Sequence, residues 1–245
     1  MTKLVTECQV SLLDSTQTGD DLVYNAARQS MDRSADLYDK DRNRKLGITL
    51  ASHNHVIPFA HASVSLRVSA PIFVARQLDK TRVGMVWSEE SRRYIEKDPE
   101  IFVFDKLRMG SKSIKQGSLQ DTFVDVDYIS MMEPHLKESL RLYHELLDAG
   151  VCREQARAHL PQNMMINFVW TGSLLGWCRL FTLRLKPDAQ KETRDCVGKI
   201  KEVVQSVFPE SVEIHEKVDR IKAHLLKGFP SSSEFDKYLE DNPDA

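Results

Sequence analysis

The stretch from Ala70 to Tyr94, APIFVARQLDKTRVGMVWSEESRRY, joins a strongly patterned strand to a dense group of charged side chains. It opens on the apolar run 72–75 and ends with arginines and glutamates beside the hydroxyls of Ser91 and Tyr94. A guanidinium group can donate two hydrogen bonds to one phosphate. The stretch therefore predicts a buried segment that leads into an anion site, and a solvated charged turn is the alternative that these residues leave open.

The residues before this stretch alternate between apolar and polar with a period of two. Between Phe59 and Ala70, the even positions from 62 onward are apolar and the odd positions are Ser or Arg. This alternation predicts a strand. Pro71 ends it and can occupy the first position of a helix over 72–80. A short strand over 83–87 and a charged turn over 88–94 follow.

The rest of the chain is mainly helical in its pattern. Asp20 or Asp21 is available to cap the first helix, and Gly150 follows the helix predicted over 133–149 at the expected C′ position. Residues 95–130 carry few periodic signals, and 32–44 is either a loop or an exposed helix face. Helical periodicity predicts helices over 20–31, 45–52, 133–149, 153–160, 171–184, 188–208 and 218–226, and strands are predicted over 3–14 and 163–170.

Helices outnumber strands, and the two do not alternate regularly. This arrangement predicts an α+β fold, with mixed helices packed on a small antiparallel or mixed sheet. With 245 residues and 41% hydrophobic residues, the chain can bury one large core. We predict a single catalytic domain over 1–228 and a polar C-terminal tail over 229–245.

The composition argues against some classes of binding partner and indicates the cellular compartment. A net charge of −2 argues against nucleic acid or a membrane surface as a partner. The most apolar window, 164–185, is interrupted by Asn167, Arg179 and Arg184, which argues against a membrane span. The N-terminus has no signal-peptide pattern, and the four cysteines are scattered. We therefore predict a cytoplasmic protein with free thiols.

The segment 52–61 contains three histidines, which raises the question of a metal site. No acidic residue or cysteine stands at ligand spacing from His53, His55 or His61, and Pro58 breaks any helix that would align them. We predict no metal, and histidines that line a pocket or cap a turn. Glycine-rich dinucleotide and P-loop motifs are absent from the sequence.

Two separated blocks of the sequence resemble, in the same order, the flavin-dependent thymidylate synthases. The first is 70–94, where that family has A-P-I-F-V-A-R-Q, a basic R-H-R triplet and N-E-x-S-x-R-Y. The second is 153–194, which contains the A-R, L-P, W-T and L-R pairs of the family. Weaker matches lie at 26–30 and 55–61, so the resemblance runs from about Ala26 to Arg194.

The resemblance implies an α+β domain that assembles as a homotetramer and holds FAD between its chains. It implies conversion of dUMP into dTMP, with methylenetetrahydrofolate as the carbon donor and NADPH as the reductant of FAD. The expected partners are therefore a pyrimidine deoxynucleotide, a folate and further copies of the same chain.

The resemblance also implies roles for individual residues. Arg184 is expected to be the catalytic group that polarises the pyrimidine, although it could instead satisfy carbonyls at a helix C-terminus. Ser91 is expected to act beside it as a positioning hydroxyl. The phosphate would be held by Arg93 and Arg157. Further nucleotide contacts are expected from Gln77, Glu89, Glu90, Ser91 and Arg92. Flavin contacts are expected from Ser30, His55, Lys80, Thr81, Arg82, Val83, Glu89 and Arg179.

Several positions depart from the family pattern. Lys80 and Thr81 replace the usual Arg and His, Ser88 replaces an Asn, and one extra residue lies between Arg82 and Ser91. Viral and bacterial members vary at these places, so the chain resembles a divergent member. Three alternatives stay open: another pyrimidine such as dCMP, hydroxymethyl instead of methyl transfer, and a nucleotide-binding protein without catalysis. Glu89 and Glu90 could also simply pair with Arg92 and Arg93.

Overall fold

A computed structural model describes residues 3–111 and 118–226 of the chain. Its strands are β1 (Leu4–Val5), β2 (Gln9–Ser15), β3 (Ser63–Pro71), β4 (Met85–Glu89), β5 (Ile101–Phe102), β6 (Arg108–Gly110), β7 (Ser118–Phe123) and β8 (Met165–Ser173). Its helices are α1 (Asp21–Arg28), α2 (Lys40–Ser52), α3 (Ile57–His61), α4 (Ile72–Leu78), α5 (Tyr128–Asp148), α6 (Arg153–Ala156), α7 (Leu174–Arg184), α8 (Lys191–Val207) and α9 (Pro209–Leu226). Short 3-10 turns lie at Gln29–Met31, Ala35–Leu37 and Arg157–His159.

A four-stranded antiparallel sheet forms the centre of the fold. Its strand order is β2-β3-β8-β4, and two smaller pairs, β1-β5 and β6-β7, stand apart from it. Strand β3 pairs with β8 from Ser63 opposite Ser173 to Pro71 opposite Met165. This mixture of helices with small sheets confirms the predicted α+β class.

The alternating pattern of β3 explains its central place. Val64, Leu66 and Val68 are fully buried, while the residues between them face outward or are half-buried. Pro71 is the last residue of β3, as the sequence predicts, but it is the N-cap of α4 and not the first helical residue. The strand begins at Ser63 rather than at 59, because residues 57–61 form the short helix α3.

Helices α7, α8 and α9 complete the core on the sheet. Helix α8 packs against β2, α7 and α9, and α4 packs against both β3 and α8. Trp170 of β8 lies edge-on against Trp177 of α7, with ring centroids 5.0 Å apart. Large aromatic rings therefore hold the sheet and α7 together.

One predicted helix start is wrong, and one predicted side-chain cap is not made. Asp20 is the N-cap residue of α1, but its side chain makes no capping bond there. Its carboxylate instead accepts hydrogen bonds from the backbone N–H of Glu210 (3.0 Å) and Ser211 (2.9 Å) at the start of α9. Helix α9 accordingly begins at Pro209, where a proline fits the first turn, and not at 218. Asp20 stabilises a helix that lies nearly 190 positions later in the sequence.

The bounds of other helices and strands also differ from the predicted ones. Helix α2 begins at Lys40, where Asp39 accepts from the N–H of Arg42, so part of the ambiguous stretch 32–44 is helical. Strand β8 continues to Ser173, so the helix predicted over 171–184 begins three residues later. The stretch 95–130, predicted to be irregular, contains β5, β6, β7 and the start of α5. The predicted tail, 229–245, lies outside the described residues, and the domain limit at 228 stays a prediction.

Candidate functional site

A cavity of about 470 Å³ lies between α4, the end of β4 and α6. Strand β4 ends at Glu89, and the next residue continues onto β8, because the N–H of Glu90 donates to the carbonyl of Asn167 (2.9 Å). This attachment carries the charged turn 90–94 to the mouth of the cavity. The charged residues of the lining are Arg76, Asp79, Glu89, Glu90, Arg92, Glu154 and Arg157.

Ser91 lies at the centre of a cluster of cations at this cavity. Its hydroxyl accepts from the backbone N–H and the Nε of Arg93, both at 3.4 Å, and from Nη1 of Arg157 at 3.5 Å. These distances are at the long end for hydrogen bonds. The structure thus brings Arg157 to Ser91 and Arg93, although Ser91 and Arg157 lie 66 positions apart in the sequence. An oxyanion at this point would meet two guanidinium groups and one hydroxyl.

The glutamates of the turn have partners other than the neighbouring arginines. Glu89 accepts from the indole Nε1 of Trp87 (3.1 Å), and Glu90 accepts from the amide of Asn167 (2.8 Å). Within the described part of the chain, neither pairs with Arg92 or Arg93. The alternative of simple charge pairing in this turn is therefore wrong.

Gln77 lies on another face of α4 and is joined to Arg184. Nη2 of Arg184 donates to the backbone carbonyl of Gln77 at 2.8 Å. The side chain of Gln77 donates to Gln190 and accepts from the hydroxyl of Thr193 at 3.2 Å. Gln77 does not line the cavity of the Ser91 cluster; it lines a second cavity, of about 610 Å³, together with Gln190.

A buried ion pair extends this network. Gln190 donates to Glu192 (3.0 Å), and Glu192 pairs with Arg108 at 2.7 Å. Burial raises the pKa of Glu192, but hydrogen bonds from Arg108 and Gln190 outweigh it and hold that pKa below its ordinary value. We call the connected set Arg184, Gln77, Gln190, Glu192 and Arg108 the polar relay. It fixes the orientation of the Gln77 amide and one nitrogen of Arg184.

Several of the predicted flavin contacts lie on or beside the first half of α7. Gly84 has a φ of +74°, and a Cβ at this position would lie 2.7 Å from Oγ of Ser173, so the turn 80–84 packs closely on the start of α7. Arg179 lines a cavity of about 310 Å³ with Asn54 and Val56, the two neighbours of His55.

The remaining candidates are exposed. Ser30 donates only to the carbonyl of Ala27 (3.4 Å), and Lys80, Val83 and His55 face solvent. Arg82 folds back onto Asp79 of its own turn. Thr81 donates its backbone N–H to the carbonyl of Leu78 (2.9 Å). One chain therefore leaves these residues on its surface and does not enclose a ligand among them.

Sequence reasoning missed Arg108, Glu192 and Tyr143. Arg108 lies in the stretch 95–130, which was predicted to be irregular. Only its ion pair with Glu192 in the folded protein shows its role. Glu192 lies in the second matched block, but its charge alone did not suggest a buried partner. Tyr143 was predicted only as a core position of α5, and its ring lies 6.0 Å from Cζ of Arg92.

In residues 3–111 and 118–226, no group of three His, Cys, Asp or Glu side chains is placed to hold a metal ion. In the same ranges, no helix combines the length and the apolar character that a membrane crossing needs.

The fold and the cation-lined cavity define an α+β protein that presents an anion site beside its sheet. The sequence profile of the family described as thymidylate synthase complementing protein matches residues 11–210. The chain therefore belongs to this family, which confirms the resemblance to the flavin-dependent thymidylate synthases.

Individual relatives agree with this assignment. The flavin-dependent thymidylate synthase of Thermosipho africanus is 33% identical over 213 residues, 86% of this chain and 92% of the relative. The enzyme of the same name from Thermus thermophilus is 33% identical over 89% of this chain and 77% of the relative. A crystal structure of the UMP/dUMP methylase PolB from Streptomyces cacaoi, bound with 5-Br dUMP, superposes with a TM-score of 0.77 at 27% identity, over 88% of this chain and 97% of that chain.

Proposed function

We propose that the protein methylates C5 of a pyrimidine deoxynucleotide and converts dUMP into dTMP, with methylenetetrahydrofolate and NADPH as co-substrates. Family membership and the names of the relatives support an FAD-dependent methyltransferase. The observation that carries the nucleotide assignment is the cluster of Ser91, Arg93 and Arg157, of which Arg157 lines the cavity of about 470 Å³. A solved neighbour of the same fold holds 5-Br dUMP, which supports the same ligand class here.

The nucleotide phosphate would be held by Arg93 and Arg157, with Ser91 as a neutral donor between them. The distances from the Ser91 hydroxyl to the guanidinium groups of Arg93 and Arg157 are long. They suit groups that move toward a ligand, because a dianionic phosphate attracts both guanidinium groups more strongly than the Ser91 hydroxyl does. Ser91 has no neighbouring base among its hydrogen-bond partners in the described residues, so we assign it positioning rather than nucleophilic attack.

Arg184 would polarise the pyrimidine ring. Charge that develops on the ring carbonyl edge during C5 substitution is stabilised by a fixed cation. One nitrogen of Arg184 is committed to the carbonyl of Gln77, and its Nε is buried without a partner among the described residues. The guanidinium is thus held in place and still has donors for a ligand.

We propose that the site is completed between subunits of a homotetramer. Gln77 lines a different cavity from Arg157, and Arg184 lines neither of the two, so one chain does not gather all of the expected nucleotide contacts around one cavity. Val86 and Tyr94 beside the site are 70% and 78% exposed, which supports an apolar contact with another chain.

The residues on the first half of α7 fit a part of FAD. The cavity beside Arg179 has apolar walls from Val56 and Leu175, and its charged lining residues are Arg179, Lys222 and Asp219. The apolar walls suit a ring system. Its volume of about 310 Å³ holds one ring system rather than a whole dinucleotide, which supports sharing with another chain. When bound, FAD supplies the hydride; Ser30, His55, Glu89, Arg179 and the turn 80–83 would hold it.

The four cysteines carry no part of this chemistry. All four are free, and burial raises the pKa of Cys178 above its ordinary value, which keeps it a neutral thiol. Free thiols support our placement of the enzyme in the cytoplasm.

Colour and tritium release test the proposal. The purified protein should be yellow or take up FAD, and it should release tritium from C5-labelled dUMP faster than from labelled dCMP. A protein that cannot be loaded with FAD would contradict the proposal. Faster tritium release from dCMP than from dUMP would show that the cytosine nucleotide is the substrate. Product mass separates methyl from hydroxymethyl, and omission of NADPH or of the folate tests each co-substrate.

A further inference from the structure

A small cavity between α7 and α9 takes no part in the proposed chemistry. Its volume is about 230 Å³, and apolar walls come from Phe181 and Leu185 at the end of α7 and from Val212 of α9. Cavities that hold drug-sized ligands measure roughly 300 to 1,000 Å³. The α7–α9 cavity is smaller, so its size suits a single ring or a short alkyl chain.

His215 of α9 lines this cavity with a nitrogen that has no partner. Its Nε2 is shielded from solvent and makes no hydrogen bond within residues 3–111 and 118–226. The ring is held edge-on against Phe59, with centroids 4.4 Å apart, and burial lowers the pKa of His215. The imidazole is therefore neutral at neutral pH, and it can donate a hydrogen bond from Nε2 to a ligand.

The charged residues of the cavity differ in how far they are engaged. Asp219 accepts from a threonine hydroxyl of α7, and Glu216 pairs with Lys201 at 2.5 Å. In the part of the chain that the structure describes, the ammonium of Lys186 has no hydrogen bond or ion pair. The guanidinium of Arg220 reaches there only the backbone carbonyl of Glu216, at 3.4 Å. The carboxylates are thus occupied, and the two cations remain available to an anion.

We propose that the α7–α9 cavity binds a small apolar monocarboxylate, with one aromatic ring or a short alkyl chain. The apolar part would pack on Phe181 and Val212. The carboxylate would pair with Lys186 and Arg220, and one of its oxygens would accept from Nε2 of His215. Charge complementarity selects an acid rather than an amine, because only the cations of the cavity lack partners in the described residues.

The proposed site adjoins the cavity assigned to a part of FAD without coinciding with it. Thr182 and His215 line both cavities, whereas Lys186 and Arg220 line only the α7–α9 cavity and Arg179 lines only the other. An acid bound here would therefore leave the flavin cavity free. It should bind the FAD-loaded protein and raise its melting temperature, because a ligand that binds only the folded state stabilises it.

Calorimetric titration of the full chain loaded with FAD tests this site, with benzoate and hexanoate as the probes. Benzamide keeps the ring without the charge, and acetate keeps the charge without the apolar body. Each of these two should bind at least about tenfold more weakly than benzoate. Lys186→Met removes one cation, and His215→Phe keeps a ring but removes the donor. Each variant should lower the affinity for benzoate about tenfold, the loss expected for one hydrogen bond to a charged group.

The matched control is Lys191→Met, which removes the same charge from α8. Lys191 pairs with Asp195 and does not line the cavity, so this variant should bind benzoate like the parent. The inference is overturned if neither acid binds the folded parent, if benzamide binds as well as benzoate, or if Lys186→Met and Lys191→Met have equal effects. Binding to the FAD-free protein that FAD abolishes would also overturn it, because the acid would then occupy the flavin cavity.

Discussion

The Ser91 cluster and the polar relay lie at different faces of α4 and are built in opposite ways. In the cluster, the bonds between the cations and the hydroxyl measure 3.4 to 3.5 Å, and Arg93 and Arg157 are exposed. In the relay, the Arg108–Glu192 pair measures 2.7 Å, and its side chains are 16% and 7% exposed. The first is loosely ordered and the second is fixed.

This difference indicates a division of labour. Groups that stabilise a reacting centre gain from being fixed in advance, because no reorganisation is then needed during the reaction. Groups that capture a charged ligand can move, because the ligand itself orders them. We therefore expect substitutions in the relay to change turnover or stability, and substitutions in the cluster to change affinity alone.

The largest expected effect is on turnover in Arg184→Ala. Removal of a fixed donor from a developing charge lowers kcat about 100- to 1,000-fold. FAD should stay bound, so flavin absorbance should not change while tritium release from dUMP stops. Arg184→Lys, which keeps the charge, should retain part of the activity. Full turnover in Arg184→Ala would show that the polar relay takes no part in the reaction. The functional site would then consist of the Ser91 cluster alone.

The next effect is on stability in Glu192→Ala. The substitution leaves Arg108 buried without its anion and should cost about 3 kcal/mol in the free energy of unfolding. Urea unfolding measures this directly. The double variant Arg108→Met, Glu192→Leu should recover most of the loss, because no unpaired charge remains.

An exposed pair on the same helix provides the control for this prediction. Lys191 and Asp195 are about half exposed, and Lys191→Ala should change the free energy of unfolding by no more than about 1 kcal/mol. Equal losses in Glu192→Ala and Lys191→Ala would show that the relay is not a fixed element.

The sequence predicted the Ser91 cluster and the polar relay unequally well. The alternation of β3, the break at Pro71 and the charged turn are local patterns, so the strand, the helix and the place of the Ser91 cluster followed from them. The relay joins Gln77 to Gln190, 113 positions away, and Glu192 to Arg108, 84 positions away. No local pattern encodes such pairs.

The errors in the fold have the same cause. Asp20 stands where it could cap α1, and only the packing of α9 against the start of α1 assigns its carboxylate to Glu210 and Ser211. The family resemblance named Gln77 as a nucleotide contact. It did not show that the side-chain amide turns toward α8, because that orientation depends on Thr193 and Gln190.

A smaller effect is expected in Arg157→Met. Loss of one exposed cation from the cluster should raise KM for dUMP about tenfold, through one charge-assisted hydrogen bond, with kcat nearly unchanged. The free energy of unfolding should stay within about 0.5 kcal/mol of the parent, because surface substitutions rarely do more. A fall in kcat at unchanged KM would show that the Ser91 cluster acts in the reaction itself. This result would contradict the separate roles inferred for the cluster and the polar relay.

The smallest effect is the response of the relay to acid. The pKa of Glu192 is held below its usual value of 4.5, so its stabilising contribution is fully present above that pH and is lost as pH falls through the lower folded value. The difference in unfolding free energy between the parent and Glu192→Gln should therefore shrink as the pH is lowered from about 5 to about 3. Arg157→Met leaves the Glu192–Arg108 pair in place, so its unfolding free energy should run parallel to that of the parent in the same series. A difference for Glu192→Gln that stays constant down to about pH 3 would show that the ion pair with Arg108 does not fix the relay.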